Sequence, residues 1–292
     1  MVTKLDANQL ATRYGYAASF FNAVPELKKL LAQAVAAQWS AEEFSARFLN
    51  SSWYKYHSSS LKEWSALKAK EPAEVSKRIA DRKASLQAQT AKLGITMDPK
   101  RLQQLSEWSL MYQWDEGALN RALAAEMHYD PAKAQLGEVG SMQSQIRENA
   151  AAYGVSYNDK DIWSMSQKMV EGSLSQEGVL EQIKKLAMSR FPGLVDEINK
   201  GLSVREIASA YVQAQSRLLE IDPNQIDLAT DSSLQKALQA KGPDGKPLAG
   251  GMPLWQYEQD LRKDSRWLNT SNAKQEMNGV ASKVLKDFGL QT

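Results

Sequence analysis

The chain has 292 residues, 43% of them hydrophobic and 24% charged, enough for one large or two modest domains. Its 36 basic and 34 acidic side chains leave a net charge of +2, too balanced for a protein that lives mainly on nucleic acid. There is no cysteine, and His57 and His128 are the two histidines, which excludes disulfides, thiolate zinc sites and histidine-rich metal sites; no cofactor is expected.

The N-terminal run MVTKLDANQLATRYGYAASFF lacks an apolar core bounded by a cleavage site, so no signal peptide is expected. No window approaches the length of an uninterrupted apolar span, so no membrane span is expected. Residues 1–100 carry 15 basic and 9 acidic side chains, a mild bias read as a solvated helix face. Ala, Leu, Gln, Glu and Lys dominate throughout, and apolar residues recur at three and four rather than at two. The expectation is an all-α protein.

An internal repeat organises the chain. At a constant offset of 60 positions, Leu93, Ile95, Leu102, Leu105, Leu110, Leu119 and Leu123 meet Tyr153, Val155, Ile162, Met165, Val170, Val179 and Ile183. Both stretches follow a predicted helix that ends at a glycine, Gly94 or Gly154, where a left-handed residue closes the helix. A copy near the start, shifted by 75, matches Leu27, Leu30, Val35, Trp39, Phe44 and Phe48, with its own Tyr14-Gly15 one helical turn further back. A partial copy lies at GLSVREIASAY from Gly201. Each unit is a helix, a tight turn, and a second helix started by Ser40, Asp115, Ser175 or Ser203; Ser40 with Glu43 and Ser203 with Glu206 read as capping boxes. The fold expected is all-α, with repeated αα-hairpin modules, a Gly/Pro-rich loop from Lys241 to Pro253 and a C-terminal helical arm. Its final helix is predicted from about Ser271 to Phe288, ended by Gly289. Three regions follow: 1–130, N-terminal helical repeats; 131–240, a second repeat region; and 241–292, the loop and the arm.

GLSVREIASAY resembles the first helix of a helix-turn-helix, but the chain runs on as SAYVQAQSRLLEI with no turn residue and an apolar period, and then turns acidic. DNA reading by this segment is set aside. Paired-carboxylate hydrolysis would need a Glu in apolar, aromatic company; Glu63, Glu107 and Glu258 are the candidates, and each also fits the exposed side of an amphipathic helix. Neither histidine has a Gly-flanked nucleophile motif near it, GPDGKP lacks the ending of a phosphate loop, and DPNQIDLATD lacks calcium-loop spacing. In SSWYKYH, aromatic and basic residues interleave. That pattern can stack on bases or sugars, and it can equally anchor a core or a subunit interface, the reading preferred here.

Two Trp-rich patterns carry a family resemblance. PELKKLLAQAVAAQWSAEEFSARFLNSSWYKYHSSSLKEWSAL, through Pro25-Glu26-Leu27, Trp39-Ser40, Ser51 to Lys55 and Trp64, resembles a module of helical-repeat virion proteins of tailed phages, especially those infecting actinobacteria. The closing pattern resembles the end of the same proteins through Trp255, Glu258, Leu261, Arg262, Asp264, Arg266, Trp267, Asn272, Ala273 and Leu285 to Gly289. The resemblance implies a non-enzymatic structural component of the particle, of the tail or tape-measure-associated type, made in the host cytoplasm and located in the virion. Its expected partners are other virion proteins and further copies of itself, with nucleic acid the weaker reading. Interface candidates are Trp53, Tyr54, Tyr56, Trp64, Trp255, Tyr257, Arg262 and Trp267. The alternative is a peptidoglycan hydrolase or cell-wall-binding module carried by the particle.

Overall fold

The computed structural model describes residues 6–13, 18–130 and 136–288. The turn expected at Tyr14-Gly15 and the helix end expected at Gly289 lie outside the described residues. Among the described residues are 18 α-helices, three short 3-10 turns and no strand; the chain is all-α. By its internal contacts the chain divides into two compact units. Unit 1 comprises residues 1–128 with 135–138 and 170–172, and unit 2 comprises 129–134, 139–169 and 173–292.

Unit 1 begins with α1 (Ala7–Arg13), α2 (Ala18–Asn22), α3 (Pro25–Ala37), α4 (Ala41–Leu49), α5 (Ser52–Tyr56) and α6 (Ser59–Lys70). Local chemistry sets their ends. Pro25 opens α3, where its missing N–H would have had no partner, and the oxygens of Ser40, Ser51 and Ser58 accept from the third backbone N–H beyond them. Ser40 is a cap as expected, but not half of a capping box: Glu43 turns away to pair with Arg47 at 3.1 Å. Helices this short are not stable alone. They are held by Phe20, Phe21, Phe44, Phe48 and Trp53, whose rings meet mostly edge to face at centroid separations of 5.0 to 6.3 Å.

The rest of unit 1 is α7 (Pro72–Leu93), α8 (Pro99–Met111) and α9 (Glu116–Ala125), with α7 packed along α8. Asp98 and Asp115 cap α8 and α9. Gly94 ends α7 at φ 78°, the left-handed conformation expected of it. It is also tied to its place by contact, since a Cβ there would stand 1.9 Å from the carbonyl oxygen of Leu136.

Then come α10 (Gly137–Ala152), α11 (Asp159–Glu171), α12 (Gln176–Arg190), α13 (Val195–Asn199), α14 (Val204–Ile207), α15 (Ser209–Leu219), α16 (Ser232–Leu238), α17 (Leu254–Arg262) and α18 (Ser271–Asp287). Gly154 has φ 64°, again as expected. Ser203 and Glu206 form both halves of a capping box, and α14 breaks from α15 at Ala208. The core of unit 2 is mainly aliphatic, around Ile183, Leu194, Ile198, Leu228 and Leu234, with Phe191 and Tyr257 among them. A polar chain runs through it. The Tyr257 hydroxyl donates to Gln215 Oε1 at 2.6 Å, and Gln215 Nε2 donates to Asp231 Oδ2 at 2.7 Å. Burial, reinforced by the nearby Asp231 charge, pushes the Tyr257 hydroxyl far above its ordinary pKa.

The segment between α16 and α17 folds back onto unit 2. Leu248 N–H donates to Ala240 O, Gly250 N–H to Gly193 O and Met252 N–H to Ala237 O. The Tyr211 hydroxyl lies 2.5 Å from Met252 O and 2.9 Å from Gly250 O.

Candidate functional site

The Trp-rich segment of unit 1 is positioned by one carboxylate. Glu26, in the first turn of α3, accepts from Ser52 N–H at 2.8 Å and from Trp53 N–H at 3.1 Å. A negative charge on a helix N-terminus is favourable there, and it turns α5 so that Trp53 enters the ring cluster. His57 stacks on Trp53 at 5.0 Å, with its Nδ1 2.7 Å from Trp53 O. Tyr54 is half-buried, 5.2 Å from Phe48, with Lys62 Nζ 3.7 Å above its ring. Tyr56 points out, 85% exposed. Trp64, on α6, is buried.

In unit 2, Trp255 on the first turn of α17 is 64% exposed and stands beside exposed Leu254, whereas Tyr257 and Trp267 belong to the core. Arg262 is half-buried and reaches Glu276 of α18 at 3.3 Å. A side chain packed into its own core has no surface left for a partner. Trp53, Trp64, Tyr257 and Trp267 are therefore packing anchors, and the interface expectation narrows to Tyr56 and Trp255, with Tyr54 and Arg262 partly accessible. An oligonucleotide platform on Trp53 is ruled out by the same burial.

The three candidate acids are each held by a donor. Lys68 Nζ is 2.8 Å from Glu107, Gln113 Nε2 donates to Glu63 at 3.1 Å, and Arg217 pairs with Glu258 at 2.6 Å. A cleft of about 240 Å³ between α16 and α17 is lined by Ser233, Lys236, Tyr257, Asp260, Lys263 and Asp264. Its charges satisfy one another: Asp260 pairs with Lys236 at 2.8 Å and Lys263 at 3.3 Å, and the Lys236 hydrogen bond holds Asp260 below the ordinary carboxylate range. Among the described residues no three His, Asp or Glu side chains are gathered to hold a metal ion, and no helix is long and apolar enough to cross a membrane.

No protein-family model, curated protein or solved structure matches the chain. What the molecule offers a partner is therefore read from its own surface.

One such feature is α18, whose bounds the sequence delimited but whose apolar face it did not single out. Glu220 holds its first turn, accepting from Ser271 N–H at 3.0 Å and Asn272 N–H at 2.8 Å; these backbone hydrogen bonds keep Glu220 below the ordinary carboxylate range. Thr270 caps it, Asn272 Nδ2 donates to Arg217 O, and Ala273 is fully buried. From Lys274 to Phe288 every residue is exposed. Met277, Val280, Val284, Leu285 and Phe288 lie among them, spaced for one helix face. That spacing was the available signal.

Proposed function

We propose that the chain is a non-enzymatic structural component of a tailed-phage particle, associated with the tail or genome-delivery apparatus, acting by self-assembly and by contacts with other virion proteins. The observation that carries this reading is the apolar face of α18, anchored at one end and left open to solvent along its length. Such a face marks an interaction site. The resemblance of the two Trp-rich patterns supplies the particle and the virion location.

The finer architecture belongs to the same reading. We infer repeated αα-hairpin modules because α8 and α9 start 17 residues apart, at Pro99 and Glu116, as do α11 and α12, at Asp159 and Gln176. The Gly/Pro-rich loop is then an insertion that closes on its own unit.

The test is the mass of the purified 32.5 kDa chain by light scattering over a concentration series, with and without added virion fragments. Concentration-dependent oligomers or co-assembly are expected. A strict monomer that ignores other particle proteins would overturn the reading. The hydrolase alternative requires Glu107 or Glu258 to leave its present cation, and a peptidoglycan-release assay with Glu107→Gln and Glu258→Gln variants separates it.

A further inference from the structure

The two copies of the repeat at Leu93 and Tyr153 differ in what covers their first turn. α8 and α11 are both 13 residues long and start at matching positions, Pro99 and Asp159. Ahead of them Gly94 N–H donates to Ala91 O and Ile95 N–H to Thr90 O, as Gly154 N–H does to Ala151 O and Val155 N–H to Ala150 O. Buried Ser106 has its counterpart in buried Ser166. Over Gly154 lie the ring of Phe191 and the side chain of Leu228, 3.1 and 3.3 Å from where a Cβ would stand, and Val155 is sealed at 2% exposed. Over Gly94 lies backbone instead, that of Leu136 and Gly137. Beside it a groove of about 570 Å³ stays open, lined by Thr90, Ala91, Ile95, Met97 and Leu102, with half-buried Lys83 on its wall. Where unit 2 inserts a phenylalanine and an aliphatic side chain, no side chain among the described residues of unit 1 fills the space.

Of the six phenylalanines, Phe20, Phe21, Phe44, Phe48 and Phe191 are buried, whereas Phe288, at the end of α18, is 76% exposed. On that helix Val284, Leu285 and Phe288 fall within an arc of about 100°. Resting on the repeat and self-assembly readings, we propose that the groove of unit 1 receives the end of α18 from a second copy. Phe288 then stands where Phe191 stands in unit 2, and Leu285 where Leu228 stands. Ala91 is small and exposed, which leaves the groove open to a ring. Asp287, beside Phe288, and the carbonyl end of the helix are the charges that meet Lys83. Lys286 falls about 160° from Phe288, on the far side of the helix. Plug and socket are different surfaces of one chain, so the contact is heterologous: each copy offers both, and copies close into a ring or run on as an open chain.

The experiment uses the full chain and two variants at exposed positions. Ala91→Glu places a charge in the socket, and Phe288→Ser removes the plug. Helix content and thermal midpoint of both should match the wild type, because neither side chain is buried in the single chain. Sedimentation equilibrium of the wild type is expected to show oligomers that grow with concentration. Each variant alone is expected to self-associate more than about tenfold more weakly, since a buried unpaired charge and a lost aromatic anchor both cost affinity. Mixed in equal amounts, the two should recover a one-to-one dimer and nothing larger, because the Ala91→Glu copy keeps its plug and the Phe288→Ser copy keeps its socket. A surface that pairs with its own counterpart would show no such recovery. A mixture that stays monomeric, or either variant assembling as the wild type does, would overturn the groove proposal while leaving self-assembly intact. A wild type that is monomeric at every concentration yet joins virion fragments would overturn the proposal and keep the particle role; one that does neither would overturn both.

Discussion

Unit 1 fastens its first helices with rings, whereas unit 2 fastens its helices with aliphatic side chains around a buried polar chain. In unit 1, Phe20, Phe21, Phe44, Phe48 and Trp53 bury large areas and lock by edge-to-face contact. In unit 2, Tyr257, Gln215 and Asp231 must be in register at 2.6 and 2.7 Å or leave polar groups unpaired inside a core. The difference teaches how short helices acquire a unique arrangement. Rings do it by shape and area, and tolerate small shifts; a polar chain does it by penalising every shift, at little net gain when satisfied.

The comparison breaks most readily at the rings. Phe21→Ala is expected to destabilise unit 1 by about 3–5 kcal/mol, the usual cost of emptying a fully buried aromatic site. Chemical denaturation followed separately in each unit should show the loss in unit 1 alone. Next is Gln215→Ala, which leaves Tyr257 and Asp231 unpaired and should cost unit 2 about 1–3 kcal/mol, whereas Gln215→Leu with Tyr257→Phe should recover part of it. A smaller loss in the single variant than in the double would mean that the polar chain does not specify the core.

Titration sharpens the contrast further. Tyr257 is raised in the folded state, so its contribution is present below the ordinary tyrosine pKa near 10 and is lost as the pH rises beyond it. Alkaline unfolding of unit 2 should therefore be suppressed by Tyr257→Phe. Glu220 is lowered, so its hold on α18 is present above the ordinary carboxylate pKa near 4.3 and fades as the pH falls through its folded value. The protection of the Ser271 and Asn272 backbone amides against exchange, relative to their intrinsic rates, should fall first in acid, and Glu220→Gln should remove that dependence. The smallest effect separates the two serine caps. Ser203→Ala should cost about 1 kcal/mol or more because it dismantles a complete capping box, and Ser40→Ala should cost less, because Glu43 is committed to Arg47.

Helix ends were legible because their chemistry is local. Ser40, Asp115, Ser175 and Ser203 cap a backbone N–H three residues on, and Gly94 and Gly154 take the left-handed conformation that a side chain resists. What escaped were contacts made across distance. Glu26 reaches 26 residues along the chain to turn α5, and nothing in SSWYKYH itself says that Trp53 goes inward while Tyr56 goes out. Glu220 reaches 51 residues to hold α18, and Tyr257 finds Gln215 across 42. Arg262, named as an interface residue, also reaches Glu276 14 residues on, a pairing its own segment does not announce.

Arg190 also gathers distant segments of the chain. Its guanidinium donates to Gly154 O at 3.1 Å, Ala229 O at 2.7 Å and Gln235 Oε1 at 3.1 Å, acceptors 36 to 45 residues away on both sides in sequence. No partial fold satisfies all three. The loops from 154 to 190 and from 190 to 235 must both close before the cation is fully paired, and closing them costs entropy before the bonds return any. Arg190 is thus expected to complete its bonding late in folding. Its loss would shorten the lifetime of the folded unit more than it would slow its formation.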